Sequence, residues 1–151
     1  MKKLVTLFCF AALLITACNS YGDKIKINDK SEVYYKDGAS KDDAQRLGNF
    51  LLKNSYFDSL SEKSVQLSKN KDTFDVKFVV DKAKVEQQSN SEFLFQILGA
   101  AISSEVFANK PVKVILADEY MKGFKDIPPY SLEDPADTTN QVEHDSTGMN
   151  Q

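Results

Sequence analysis

Two cysteines and one histidine carry the side chains most often used for nucleophilic, redox or metal chemistry, and all three lie near the ends of the 151-residue chain. Cys9 and Cys18 fall in the N-terminal stretch, and His144 lies close to the C-terminus. A thiol can act as a nucleophile, join a disulfide, bind a metal or carry an acyl group. The residues around Cys18 decide between these chemistries.

Cys18 ends a segment that is organised like an export signal. Lys2 and Lys3 give a short basic start, residues 4–15 are almost entirely apolar, and Ala17 is a small residue directly before Cys18. An apolar run of about twelve residues is too short to cross a hydrocarbon core about 30 Å thick. We therefore expect a signal that is removed rather than a transmembrane helix.

Ile15, Thr16, Ala17 and Cys18 resemble the lipobox of bacterial lipoprotein signal peptides. The resemblance implies cleavage before Cys18, transfer of a diacylglycerol to its sulfur, and acylation of the new amino terminus. Residues 1–17 would then be a signal peptide and residues 18–23 a lipidated tether. By the sorting rule of that family, Asn19 rather than Asp after Cys18 implies the outer membrane, and the lack of an acidic cluster after Cys18 favours its periplasmic face. An uncleaved signal anchor and an ordinary signal peptide cut elsewhere are the alternatives.

The composition limits the chemistry that is open to the mature chain. Removing residues 1–17 from the 151 leaves 134, enough for one domain with a single core. The formal charge moves from −3 to −5 because Lys2 and Lys3 are lost, which argues against nonspecific nucleic-acid binding. Cys9 leaves with the signal and Cys18 is acylated, so a disulfide framework and a cysteine metal site are excluded. We expect no metal and no cofactor.

His144 lies in a segment whose composition predicts disorder. Residues 131–151 hold five acidic side chains, no Lys or Arg, and few apolar residues. A general base must be held within hydrogen-bond reach of its target, which a disordered tail cannot do. We therefore expect His144 to be a solvated tail residue.

Carboxylates are the other candidates for catalysis or metal binding. Asp42 and Asp43 could form a catalytic pair or bind a metal, but Ser40 three residues before Asp43 favours a helix capping box. Further on, the chain offers oxygen ligands at 70, 72 and 75, without the loop pattern of a calcium site. A plain hairpin turn is favoured there.

Periodicity predicts short strands and two helices. Alternation of apolar and polar residues favours strands at 24–28, 32–36, 65–68, 74–80 and 112–116. Apolar residues at helical spacing favour helices at 41–54 and 91–107, joined to the strands by polar links such as 81–90. Gly48 costs about 1 kcal/mol relative to Ala inside a helix, so we expect it to allow close approach to a sheet.

These elements predict an α+β domain over residues 24–130. Without the first strand, the order β-α-β-β-α-β is that of the ferredoxin-like fold. We therefore expect a two-layer sandwich, with an antiparallel sheet, two helices on one face and residues 24–28 as an extra N-terminal edge strand. The spacing of Glu32-Val33-Tyr34-Tyr35, Ala44-x-x-Leu47-Gly48 and Val106-Phe107 also resembles a small module of bacterial membrane-attached proteins, to which we attach no activity.

The sheet face away from the helices is the candidate partner surface. The outward residues expected there are Tyr34, Lys77, Val79, Lys113 and Ile115. Such a mixed face with an apolar centre could bind a partner, and the alternative is an ordinary wet sheet surface.

The sequence predicts a membrane-anchored, non-enzymatic binding module of the cell envelope, with a protein or glycan partner. A carboxylate-dependent, glycan-active enzyme is one alternative, and it needs two carboxylates about 5 to 10 Å apart in a cleft. A small-ligand carrier is another, and it needs an apolar cavity between sheet and helices.

Overall fold

The computed structural model describes residues 21–129 and has the α+β class that the sequence predicts. Its strands are β1 (Asp23–Asn28), β2 (Ser31–Lys36), β3 (Lys63–Asn70), β4 (Thr73–Val79), β5 (Val112–Ala117) and β6 (Gly123–Ile127). Its helices are α1 (Lys41–Lys53), α2 (Lys82–Gln87) and α3 (Ser91–Ala101), and α3 continues into a π-helical turn at Ile102–Val106. The predicted signal peptide, Cys18 and the predicted tail lie outside the described residues.

The six strands form one mixed sheet in the order β1-β2-β3-β4-β5-β6. Hairpins make β1 and β2, β3 and β4, and β5 and β6 antiparallel. The strands joined through helices, β2 with β3 and β4 with β5, are parallel neighbours. The expected ferredoxin-like order and purely antiparallel sheet are therefore wrong.

The hairpin at the N-terminus explains the different strand order. In the ferredoxin-like order β2 would have a strand of the repeat on both sides. Here β1 occupies one edge of β2, with Ile25 opposite Val33, and leaves a single edge for β3. The extra edge strand was predicted, but its effect on the rest of the order was not.

The start of α1 follows the predicted capping box. The Ser40 hydroxyl accepts a hydrogen bond from the Asp43 backbone N–H at 3.1 Å, and the Asp43 carboxylate accepts one from the Ser40 N–H at 3.0 Å. Two otherwise orphaned backbone donors are thereby satisfied, and the carboxylate also lies at the positive end of the helix dipole. The capping role predicted for Asp43 is confirmed.

The core lies between the sheet and the helices. Val33, Val65, Phe78 and Leu116 are consecutive partners across β2 to β5, and each is fully buried. The helices pack on this same face at two glycines. A Cβ on Gly48 of α1 would overlap with Ile27, and one on Gly99 of α3 would lie 2.8 Å from Val114 Cγ2.

The helix predicted at 91–107 is regular only as far as Ala101. In the π-helical turn that follows, the Phe107 N–H donates to the Ile102 carbonyl at 3.2 Å. The extra residue in this turn shifts the helical phase, so Ile102, Val106 and Phe107 are all buried. Phe107 stacks on Phe74 of β4 with ring centroids 3.8 Å apart.

Strand β6 was not predicted, and helix α2 was anticipated only as an open alternative, the start of a helix within the link at 81–90. The short helix α2 lies inside the link at 81–90, where Asp81 caps it by accepting from the Ala83 and Lys84 N–H groups. Strand β6 pairs with β5, although Lys125 and Asp126 interrupt its apolar residues. The tertiary pairing with β5, rather than a local pattern, determines this strand.

Candidate functional site

The sheet face opposite the helices, named the open face here, carries all five residues predicted for a partner surface: Tyr34, Lys77, Val79, Lys113 and Ile115. Tyr34, Gln66, Lys77 and Ile115 are consecutive partners across β2 to β5, so they form one row. The other two lie two positions from this row along β4 and β5, and side chains two positions apart share a face.

The N-terminal segment covers part of the open face. The Tyr21 carbonyl accepts a hydrogen bond from Gln66 Nε2 at 2.9 Å, and the Tyr21 ring meets the Tyr34 ring edge-on at 6.0 Å. Gln66 is 2% exposed and Ile115 is 8% exposed, so the Ile115 part of the expected apolar centre is closed to solvent, whereas Tyr34 and Val79 are half-buried. Tyr21 packs on the domain and Asp23 begins β1, which places these residues in the domain rather than in the predicted tether.

Charges on the open face are mostly paired. Glu32 accepts hydrogen bonds from Lys24 Nζ at 2.9 Å and from the Tyr34 hydroxyl at 2.6 Å. Burial acts to raise the pKa of Glu32, but these hydrogen bonds outweigh it and hold that pKa below its usual range. The bond to Glu32 raises the pKa of the Tyr34 hydroxyl. A carboxylate that is already bonded in this way is poorly suited to act as a general base.

Lys77 differs from the other lysines that share its part of the face. Lys113 Nζ lies 2.8 Å from an Asp126 carboxylate oxygen, and this hydrogen bond raises the pKa of Lys113. Among the residues that the structure describes, no carboxylate lies within ion-pair distance of Lys77. Lys77 is therefore an ammonium group with no described ion pair near the middle of the open face, which also carries the carboxylate of Asp75 two positions along β4.

A groove of about 610 Å³ lies beside α2 and α3, next to the first residue of β3 and the last residue of β4. Its apolar lining is Tyr56, Val79, Val80, Val85, Leu94, Phe95 and Leu98. The Tyr56 ring packs edge-on against Phe78 at 5.0 Å, and burial raises the pKa of the Tyr56 hydroxyl. The groove is the kind of apolar concavity that the carrier hypothesis requires.

The rim of the groove holds a lysine that is fixed in place. Lys63 Nζ donates to the Tyr56 carbonyl and to an Asp58 carboxylate oxygen, both at 2.6 Å. The bond from Lys63 holds the pKa of Asp58 well below its usual range. These contacts fix the chain after α1 against β3, so the Tyr56 side of the groove is well ordered by its own hydrogen bonds.

An exposed apolar row on α3 extends the groove. Phe93, Leu94 and Ile97 are 50%, 61% and 43% exposed, and Leu94 also lines the groove. These residues occupy one side of the helix, while Gly99 faces the sheet. Phe93, Leu94 and Ile97 are named the apolar row below, and together they form the most apolar exposed part of any helix in residues 21–129.

The sequence did contain a signal for the apolar row. The apolar positions of 91–107 predict a broad apolar face on this helix. Ile102 and Val106 are buried, whereas the residues of the apolar row are exposed. A stripe that is too wide for the core is the pattern from which an exposed binding face could have been predicted.

The described carboxylates do not assemble a metal centre. Within residues 21–129, no group of three or more His, Cys, Asp or Glu side chains is placed to bind a metal ion. Glu62 and Asp81 both border the groove, but Asp81 Oδ1 accepts from the Ala83 N–H at 3.0 Å and so caps α2. Asn70 and Asp72 lie at the tight connection of β3 and β4, as predicted for a hairpin.

The chemistry predicted at the chain ends falls outside the described residues. This applies to Ile15, Thr16, Ala17 and Cys18 of the lipobox-like motif, and to His144. No helix within residues 21–129 is both long and apolar enough to cross a membrane.

Comparison with known proteins gives one match. No curated protein and no solved structure matches the chain. The model of the AF_1994_N family, described as the family's N-terminal domain, matches residues 24–127, which span β1 to β6. The chain therefore belongs to the AF_1994_N family, and residues 24–127 are its N-terminal domain.

Proposed function

We propose that the chain is a lipoprotein of the cell envelope, anchored through Cys18 to the periplasmic face of the outer membrane, and that its domain is a non-enzymatic binding module. We also infer that the domain is a two-layer sandwich with its helices on one face of the sheet. The observation that carries the binding role is the apolar row on α3, which continues into an apolar groove. The proposal requires neither a cofactor nor nucleic acid.

A protein segment fits the apolar row better than an isolated small molecule does. Leu94 and Ile97 lie about one helical turn apart, the spacing at which one helix packs on another. Small-ligand pockets commonly enclose most of the ligand surface, whereas this groove is open to solvent along the side of α3. The proposed partner is therefore an apolar or amphipathic segment of an envelope protein, which packs on the row and places a side chain in the groove.

The two alternatives have less support. A small-ligand carrier is favoured by the groove volume but not by the exposure of Phe93 and Ile97 outside the groove. A glycan-active enzyme would need a free pair of carboxylates, and Asp81 at the groove is engaged as a helix cap.

Photocrosslinking in intact cells tests the binding role. We expect a benzoylphenylalanine at Leu94 to crosslink one discrete protein, and the same group at the exposed Asn49 of α1 to crosslink none. With the crosslinker at Leu94, the Ile97→Glu substitution should reduce the product at least fivefold, since it places a charge in the apolar contact. The binding role is wrong if the Leu94 and Asn49 positions give the same products.

A further inference from the structure

We propose that the open face lies against the surface of a phospholipid membrane, so that the apolar row on α3 points away from the membrane. This inference rests on the proposed function, because it requires the lipid on Cys18. The proposed partner of the open face is the headgroup layer of the membrane.

The path of the chain at Tyr21 carries the inference. Gln66 lies on β3, the third of the six strands, and it holds the Tyr21 carbonyl over the open face. Gly22 lies close against β2 with φ +87°, and a Cβ there would overlap with the Tyr35 carbonyl oxygen. The described chain therefore enters the domain across the open face and not beside the helices.

The distance to the anchor is short. Tyr21 follows Cys18 by three positions, and an extended chain covers at most about 3.6 Å per position, or about 11 Å here. A helix with its side chains is about 10 Å thick, and it lies behind the sheet as seen from Tyr21. A lipid on Cys18 therefore places the open face, or its β1 edge, closer to the membrane than the helices are.

The side chains of the open face suit a headgroup layer. Tyr21 and Tyr34 combine an apolar ring with a hydroxyl, and such side chains are favoured where an apolar and a wet phase meet. Lys77 supplies a charge that no described carboxylate pairs, and a phosphate can accept hydrogen bonds from its ammonium group. Ile115 is buried, so the face offers contact with headgroups rather than insertion into the acyl chains.

Fluorescence quenching on vesicles tests the orientation. The lipidated protein is purified from its native membrane and placed in phosphatidylglycerol-containing vesicles that carry lipids with a nitroxide on the headgroup. Ser68→Cys on the open face and Asn49→Cys on α1 supply thiols for a fluorophore, because Cys18 is blocked by its lipid. We expect the Ser68 probe to be quenched at least threefold more than the Asn49 probe.

The anchor and the orientation fail in different ways. Intact mass shows whether the mature chain carries acyl groups, and a chain without them overturns both the anchor and the orientation. A lipidated chain whose two probes are quenched equally, or whose Asn49 probe is quenched more, overturns the orientation alone.

Charge reversal tests the contact at Lys77. A lysine close to an anionic membrane surface is attracted to it, and a glutamate is repelled. We therefore expect Lys77→Glu to weaken quenching of the Ser68 probe roughly threefold. The control is Lys41→Glu, an exposed lysine in the first turn of α1 on the helix side, which should leave the quenching unchanged. Equal quenching in Lys77→Glu and the unsubstituted protein would overturn the role of Lys77.

Discussion

Gly48 shows at the level of one residue how the sequence positions a helix on the sheet. A glycine in a helix interior is unfavourable by about 1 kcal/mol relative to alanine, so its presence there needs a packing reason. The structure supplies one, because an added Cβ would overlap with the Ile27 side chain and lie 3.4 Å from Val33 Cγ2. The close approach predicted from the sequence is confirmed.

A double substitution tests this account of Gly48. We expect Gly48→Ala to destabilise the domain by about 1 kcal/mol, since overpacking of roughly 1 to 3 kcal/mol exceeds the gain in helix propensity. In an Ile27→Ala background the overlapping atoms are absent, and Gly48→Ala should then stabilise by up to about 1 kcal/mol. Urea denaturation of the four variants measures the free energies of unfolding. Equal effects in both backgrounds would show that contact with Ile27 is not the reason for the glycine.

Ile115 marks the limit of residue-level prediction. Alternation correctly places it on the open face, but it cannot reveal what else covers that face. Ile115 is 8% exposed, and Tyr21 covers neighbouring Gln66 from a segment that the sequence indicates only as a tether. Contacts between residues far apart in sequence decide burial, and periodicity within one strand does not contain them.

At the level of elements, α1 was predicted well because its signals are local. Ser40 and Asp43 are three residues apart and satisfy each other's backbone groups, so the start of the helix follows from a short motif. The order of the strands is not local in this sense. The strand order depends on which edge of β2 pairs with β1, and no pattern within β2 specifies that edge.

The capping box predicts a pH dependence for stability. Burial acts to raise the pKa of Asp43, but hydrogen bonds from Ser40 and Arg46 outweigh it, so the folded-state pKa is lower than the unfolded value of about 3.9. The ionised Asp43 therefore stabilises the fold above that unfolded value, and the contribution is lost as pH falls through the lower folded pKa.

Replacing Asp43 with Asn isolates the charge, since the amide oxygen can still accept a hydrogen bond. We expect Asp43→Asn to lower the free energy of unfolding by about 1 kcal/mol at pH 7, and the deficit to shrink as pH falls below about 4. Asp42→Asn, in the same helical turn but without a capping bond, should cost less than about 0.5 kcal/mol. Thermal denaturation from pH 7 to 2.5 measures both. A deficit that does not change with pH would mean that the charge of Asp43 is not what stabilises α1.

At the level of the whole molecule, we propose different roles for the two faces of the sheet. The open face is reached by the N-terminal segment, and the helix side carries the apolar row and the groove. A lipid anchor at Cys18 would separate these roles in space, with one face toward the membrane and the apolar row toward the envelope proteins. This arrangement depends on Cys18, which makes its processing the most consequential test for the molecule.

The two cysteines allow a matched test of that processing. In the proposed maturation the sulfur of Cys18 receives the diacylglycerol, and serine has no sulfur to accept it. We therefore expect Cys18→Ser to accumulate as an uncut precursor, whereas Cys9→Ser should be cleaved and acylated like the unsubstituted chain, because Cys9 would leave with the proposed signal. Intact mass spectrometry of membrane fractions distinguishes the products. In the proposed anchor, two or three acyl chains would hold the mature protein, because each buried CH₂ adds about 0.8 kcal/mol. Normal cleavage and acylation of Cys18→Ser, or failure to cleave Cys9→Ser, would contradict the anchor. The proposed membrane contact of the open face would then lose its basis.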